Sequence, residues 1–309
     1  MREVILDVDT GVDDALAVLY ALRSPDLHVR ALTCVAGNVA LSHVVRNTVA
    51  LAGALGAYVP VAAGADRPLV VDSPDIVSVH GDDGLLGIAP PGRPIAVDRR
   101  HAVEVLHEAI TGAPGEVTVV ALGPLTNLAL LLRTRPDVAE QVAEIRVMGG
   151  SLGAGNITAT AEFNHWVDPH AAAVVLGAAW PVTAYGLDVF YDPVVPESAI
   201  TALRADDDVA ASLAGELLDR RGQDAFSGRP YLGDAGLVTS LDVGGVTYTE
   251  MPVMVDTRPG PTRGMTLADR RSSRHEFAAR EPWSPVRVAT AVDAGVLTRR
   301  YLEVLTGSG

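Results

Sequence analysis

The chain has 309 residues, is 48% hydrophobic and carries a formal net charge of −14. That is enough apolar material for a substantial core, which excludes a disordered or fibrous chain. The acidic balance disfavours nucleic acid and anionic membrane surfaces as partners.

The N-terminus runs straight into a strand at Val4-Ile5-Leu6, with no secretion-signal pattern before it. Residues 13–23 read as a helix stopped at Ser24-Pro25. A second strand over 29–35 holds the single cysteine, Cys34, read as a buried strand residue. One cysteine excludes an intrachain disulfide and suits a reducing cytoplasm. A second helix covers 41–55 and ends at Gly56. Strand 117–121 leads into helix 125–133, and strand 145–148 closes on Gly149-Gly150. Helix 169–176 precedes strand 182–185, and 286–305 reads as one C-terminal helix. Stretches 63–94 and 222–236, rich in Gly, Pro and Asp, read as long functional loops. No apolar run reaches membrane-span length without a Gly, Pro or charge.

Near-continuous apolar strands alternating with helices predict an α/β fold. The expected architecture is Rossmann-like, a mainly parallel central sheet flanked by helices, in one domain over 1–309. Ligands in such folds sit beyond the carboxyl ends of the strands, so residues directly after strands are the candidates for chemistry.

The first strand ends in such a group: Asp7, Asp9, Asp13 and Asp14, within Asp7-Val8-Asp9-Thr10-Gly11-Val12-Asp13-Asp14. Asp7 and Asp9 share a strand face, and Gly11 permits a tight turn. Asp13 and Asp14 then fall in the first helical turn, where free N–H groups favour negative charge. A helix cap needs one aspartate, not four. Crowded carboxylates repel and stay partly protonated unless a cation is present, and a hard divalent ion with oxygen ligands resolves that conflict. The same run also fits the Asp-x-Asp-x-Thr pattern of haloacid-dehalogenase-type phosphatases, with Asp7 as nucleophile and Asp9 as general acid. Such enzymes recruit a lysine to the phosphoryl group. All 24 basic residues here are arginine, so the phosphatase is the second reading.

The full run through Ala15 resembles the N-terminal motif of the inosine–uridine-preferring nucleoside hydrolase family. The likeness continues in order along most of the chain: Gly37-Asn38, Val79-His80-Gly81, Gly123-Pro124-Leu125-Thr126-Asn127, Met148-Gly149-Gly150, Gly155-Asn156, Ala161-Glu162-Phe163-Asn164, Val167-Asp168-Pro169 and Gly264-Met265-Thr266. Each pattern alone is weak, and their common order is what makes them specific.

The resemblance implies hydrolysis of a ribonucleoside to ribose and free base, in nucleoside salvage, by a cytoplasmic homodimer or homotetramer. It implies Ca2+ held by Asp9, Asp14, Asp234 and the backbone carbonyl of Leu122, with Asp7 in support. Asp13 would take a proton from a metal-bound water. Asn38, His80, Met148, Asn156, Glu162 and Asn164 would hold the sugar and line the pocket. The chemistry is coherent with these residue types. Glycosidic cleavage develops positive charge on the sugar, which carboxylates stabilise. A free aspartate, with a pKa near ~3.9, is a poor base at neutrality unless a metal acidifies the water. Glu162 and Asn164 lie two apart, so a strand-like segment would place both on one face and direct His165 away.

One position departs from the family. Many relatives carry a histidine before the last metal-ligating aspartate, thought to protonate the departing base, whereas this chain has Gly233 before Asp234. Tyr231, Phe226, His80 or solvent would then stack on or protonate the base, and a histidine at 233 would raise turnover of inosine. Gly233 also leaves open a third reading, a descendant that binds ribosyl ligands without cleaving them.

Overall fold

The computed structural model describes residues 1–72, 79–223, 228–271 and 283–307. One nine-stranded sheet organises it. In chain order its elements begin β1 (Arg2–Val8), α1 (Val12–Arg23), β2 (Leu27–Cys34), α2 (Leu41–Ala54), β3 (Val61–Ala63) and α3 (Ala102–Thr111). Next come β4 (Thr118–Ala121), α4 (Thr126–Thr134), β5 (Glu144–Met148), α5 (Phe163–Val167), α6 (Pro169–Leu176) and β6 (Val182–Tyr185). Then follow α7 (Leu187–Phe190), α8 (Glu197–Arg204), α9 (Val209–Gly222), α10 (Asp234–Val243), β7 (Val246–Val255), β8 (Thr266–Ala268), β9 (Ser284–Val292) and α11 (Ala294–Thr306).

The strand order is β3-β2-β1-β4-β5-β6-β9-β7-β8. Pairing is parallel from β3 through β9, while β7 runs antiparallel to both β8 and β9. The fold is therefore the expected α/β type with a mainly parallel sheet. Alternation along β1 sends Val4, Leu6 and Val8 into one core layer and Ile5 into the other. Both faces of the strand are thus covered, which explains its unbroken apolar run. The chain leaves β1 towards β2 on one side and reaches β4 on the other. This reversal opens a crevice at the carboxyl ends of β1 and β4, where a ligand has room to enter.

Two expectations need correction. Residues 286–305 are not one helix: β9 runs to Val292, and α11 begins at Ala294 with Asp293 accepting from the Val296 N–H. The alternating β-branched residues Val286, Val288, Thr290 and Val292 carry a strand period that one long helix would not accommodate. Likewise, 222–236 is not all loop, because α9 ends at Gly222 and α10 starts at Asp234. Cys34 is buried at the end of β2, and burial pushes its thiol up to about 12.

Candidate active site

The crevice is built around the step from β1 to α1. Gly11 caps α1 with an ordinary φ of −94°, so turn geometry does not demand glycine there. Space does: a Cβ would stand 2.8 Å from Asn38 Nδ2 and 2.9 Å from His80 Cγ. Asp14 reaches back over the helix start, accepting from the Gly11 N–H at 2.9 Å and the Asp9 N–H at 3.1 Å. Those donors would otherwise be the unpaired amides of a helix end. Asn38, after β2, donates its backbone N–H to Asp9 Oδ2 at 2.8 Å and its amide to Asp14 Oδ2 at 3.1 Å. Gly37 and Gly123 wall Asp9 closely, since a Cβ on either would lie within 2.8 Å of its carboxyl atoms.

Asp234, at the start of α10, joins from the far end of the chain. Carboxylate oxygens of Asp13, Asp14 and Asp234 lie within 4.8 Å of one another. Two ionised carboxylates at that separation repel by about 3 kcal/mol at an effective dielectric of ~20. Three such pairs would approach the whole folding stability of a typical domain, ~5–15 kcal/mol. The groups respond as expected. Burial, then Asp14, pushes Asp9 well above the usual range, and burial with Asp13 and Asp14 does the same to Asp234. Burial and Asp13 raise Asp14 to about 6. Buried Asp9 Oδ1 and Asp13 Oδ1 have no hydrogen-bond partner among the described residues. An all-oxygen donor set with unpartnered, mutually repelling carboxylates fits a hard divalent cation.

Asp13 titrates differently from its neighbours. Burial acts upward on it, but the Arg221 guanidinium opposes burial, and the carboxyl is held below its usual range. Arg221, in the last turn of α9, is buried and places Nη2 3.1 Å from Asp13 Oδ2. Its guanidinium also lies over the Tyr231 ring, 4.3 Å from the centroid. Nothing in the sequence singles out this arginine, because only the tertiary fold carries the end of α9 to the start of α1.

The other predicted residues fall into two groups. Asp7 is fully enclosed: Oδ1 accepts from Thr33 Oγ1 at 2.6 Å and Asn127 Nδ2 at 2.8 Å, and burial raises it to about 7. It ties β1 to β2 and α4. Asn127 also donates to the Cys34 carbonyl, which gives that asparagine a supporting role. The Leu122 carbonyl accepts from Asn164 Nδ2 at 2.7 Å, and the same amide reaches the Met148 carbonyl at 3.2 Å and its sulfur at 3.4 Å. The Val12 N–H donates to His80 Nδ1 at 3.1 Å. That bond places the ring proton of a neutral His80 on Nε2. Asn156 is exposed, its side-chain oxygen accepting from the Phe163 N–H at 2.9 Å.

Glu162 and Asn164 do not share a strand face, contrary to expectation. Glu162 is the N-cap of α5, accepting from the Asn164 N–H at 2.8 Å, the Gly150 N–H at 2.9 Å and the His165 N–H at 3.2 Å. The helix forms because this carboxylate satisfies its first amides. Burial raises Glu162 to about 7. The His165 ring pairs with Thr266 Oγ1 at 2.9 Å. It is buried, and the strand alternation invoked to direct it away from Glu162 and Asn164 does not exist, because the segment is helical.

Tyr231 packs in an aromatic group with Phe190 and Tyr191, the Tyr191 and Tyr231 centroids being 4.9 Å apart. The bulk of Phe190 and Tyr191 in the sequence was the only sign of this wall. Phe226 lies outside the described residues. At Gly233 the backbone has φ +58°, and a Cβ would stand 2.9 Å from both Asp13 Cβ and Phe190 Cζ. A side chain at 233 would have to displace Asp13 or Phe190, which opposes the expectation that a histidine there would raise turnover of inosine.

A family model described as inosine-uridine preferring nucleoside hydrolase matches residues 4–299. A protein of Citrobacter koseri named pyrimidine-specific ribonucleoside hydrolase RihA is 37% identical over 273 residues, covering 86% of this chain and 88% of that protein. Among solved structures, a purine-preferring ribonucleoside hydrolase from Gardnerella vaginalis superposes with a TM-score of 0.89 at 29% identity, covering 99% of this chain and 98% of the other. A plant nucleoside hydrolase does so with a TM-score of 0.88 at 29% identity, covering 99% of each chain.

Proposed function

The chain belongs to the inosine-uridine preferring nucleoside hydrolase family and is a nucleoside hydrolase, and on that footing we propose that it cleaves pyrimidine ribonucleosides to ribose and free base. The base class is supported by the curated relatives, named pyrimidine-specific at 36–37% identity, above the 29% of the purine-preferring structure. The phosphatase reading of Asp7 and Asp9 is not favoured, since family membership and the enclosure of Asp7 by Thr33 and Asn127 both oppose it. A non-catalytic ribosyl binder is likewise not favoured.

The observation that carries the proposal is Asp13, paired to the Arg221 guanidinium at 3.1 Å and set within 4.8 Å of the Asp14 and Asp234 carboxylates. Asp9, Asp14, Asp234 and the Leu122 carbonyl would hold Ca2+, which suits a buried set of oxygen donors. When bound, the ion supplies Lewis acidity towards water and the vicinal ribose hydroxyls. Asp13, kept anionic by Arg221, takes the proton of the attacking water. The clustered carboxylates stabilise positive charge as it develops at the anomeric carbon. Asn38, Asn156, Glu162 and Asn164 orient the sugar through donors and acceptors that match vicinal hydroxyls. His80, Met148 and Tyr231 line the pocket on the base side, and Asp7 braces the strand beneath. A single cysteine, unable to form an intrachain disulfide, suits a cytoplasmic setting, release of free base suits a role in salvage, and we take the assembly to be the homodimer or homotetramer that the resemblance implies.

The test is ribose release from uridine, cytidine and inosine, with Ca2+ and with a chelator. The expected result is Ca2+-dependent release that is fastest with the pyrimidines. Absence of ribose from all three with Ca2+ present would sink the proposal.

A further inference from the structure

Gly233 carries no acid, so the departing base must be handled from elsewhere. Arg221 has two arms. Nη2 is committed to Asp13, and Nη1 is buried with no hydrogen-bond partner among the described residues. Its stem is fixed in the last turn of α9 and its plane is held over Tyr231. An unsatisfied buried donor is costly, more so on a charged group, and a substrate atom would relieve that cost. Asp13 serves the sugar, and the guanidinium beside it touches the aromatic wall of Tyr231, itself in edge contact with Tyr191.

We propose that Arg221 is a catalytic residue that binds the leaving base through Nη1, selecting bases with a carbonyl oxygen next to the glycosidic nitrogen. This rests on the nucleoside hydrolase reading above. A guanidinium does not give up a proton in a protein, but it stabilises an oxygen on which negative charge grows. In a 2-oxopyrimidine riboside the C1′–N1 bond breaks and its electron pair passes to the base, where it spreads over N1 and O2. The water oxygen bonds to C1′ and its proton goes to Asp13. The base leaves as an anion held by Arg221 and is then protonated by solvent. Purines have no carbonyl oxygen beside N9 and gain most from an acid that protonates the ring, which position 233 does not supply.

The experiment compares uridine with a p-nitrophenyl riboside, whose nitrophenolate departs without help. For Arg221→Ala and Arg221→Lys, kcat/KM is measured on both, folding is checked by thermal melting, and Arg221→Ala is assayed again with added guanidinium. Loss of Asp13 positioning alone would lower both substrates equally. The expected result is that the uridine to p-nitrophenyl riboside ratio falls by about 100-fold, the scale of removing one preorganised donor, and partly recovers with guanidinium. An unchanged ratio, whether both rates fall together or neither does, overturns the proposal. If Arg221→Ala does not fold, the ratio for Arg221→Lys decides. Wild-type protein that cleaves neither riboside overturns the hydrolase reading itself, which is a separate outcome.

Discussion

Gly233 and Asp13 pack so closely that a Cβ on the glycine would stand 2.9 Å from the Cβ of the aspartate. The glycine is also at positive φ, which costs any other residue about 1 kcal/mol before the contact is counted. Gly233→Ala is therefore expected to lower kcat/KM at least ~10-fold by displacing Asp13, since misplacement of about 1 Å costs on the order of 100-fold. Gly233→His should be worse. Steady-state kinetics on uridine, with melting curves for both variants, check this. Faster turnover by either variant would show that the site has room there after all.

Asp13→Asn keeps the shape and removes the base. Activity should fall by about 10³-fold, within the range for general acid–base groups. The substitution leaves the buried Arg221 without its anion, yet it also removes repulsion from Asp14 and Asp234. These effects oppose each other at about 3 kcal/mol each, so the melting temperature should move by less than about 4 °C. Activity within tenfold of wild type would exclude Asp13 as the base.

The carboxylates set a pH dependence whose sign reverses with metal. Asp14 at about 6, and Asp7 and Glu162 at about 7, lie above their values in an unfolded chain. Between roughly pH 4 and 7 the folded state binds more protons than the unfolded one, so metal-free stability falls as pH rises. His165, held near 4 by burial, acts oppositely between about pH 4 and 6.5 and is outnumbered. With chelator, melting should be at least about 3 °C higher at pH 5.5 than at 7.5. With Ca2+ the order should invert, because the ion needs ionised ligands. Differential scanning fluorimetry under the four conditions decides it, and a Ca2+ shift that is larger at the acid pH would contradict the assignment.

Glu162→Gln puts an NH2 where one of the two cap oxygens now accepts backbone N–H groups. Oε1 takes one of those bonds and Oε2 two. At least one buried donor would be left facing a donor, costing about 1–3 kcal/mol. A drop of that size in chemical denaturation, together with a raised KM for uridine, is expected. A change in KM with no loss of stability would mean that Glu162 serves the sugar and not α5.

Much of the site was legible because its chemistry is local. Four aspartates in eight residues after an apolar strand imply a cation by repulsion alone, and Asp14 reaches Gly11 and Asp9 within one turn. Strands buried on both faces were legible from unbroken apolar runs, as in β1 and β6. Other features were not. The boundary between β9 and α11 is hidden because Asp293 alone separates Val292 from Ala294, so strand and helix form one unbroken stretch without a turn signal. The capping role of Glu162 was hidden because glutamate is not a favoured N-cap residue.

The sequence by itself determined the α/β class, the acidic metal-binding character of the first strand–helix junction and the ordered motifs of the family, since each follows from residues close in the chain. Only the tertiary structure decided that Arg221 pairs with Asp13, that Asp234 joins Asp13 and Asp14, and that Gly233 packs against Asp13. Those relationships join residues some 200 positions apart, and no local period or propensity encodes them. They arise where packing brings α9 and α10 against α1 and removes the intervening water, which is also what makes their charges count.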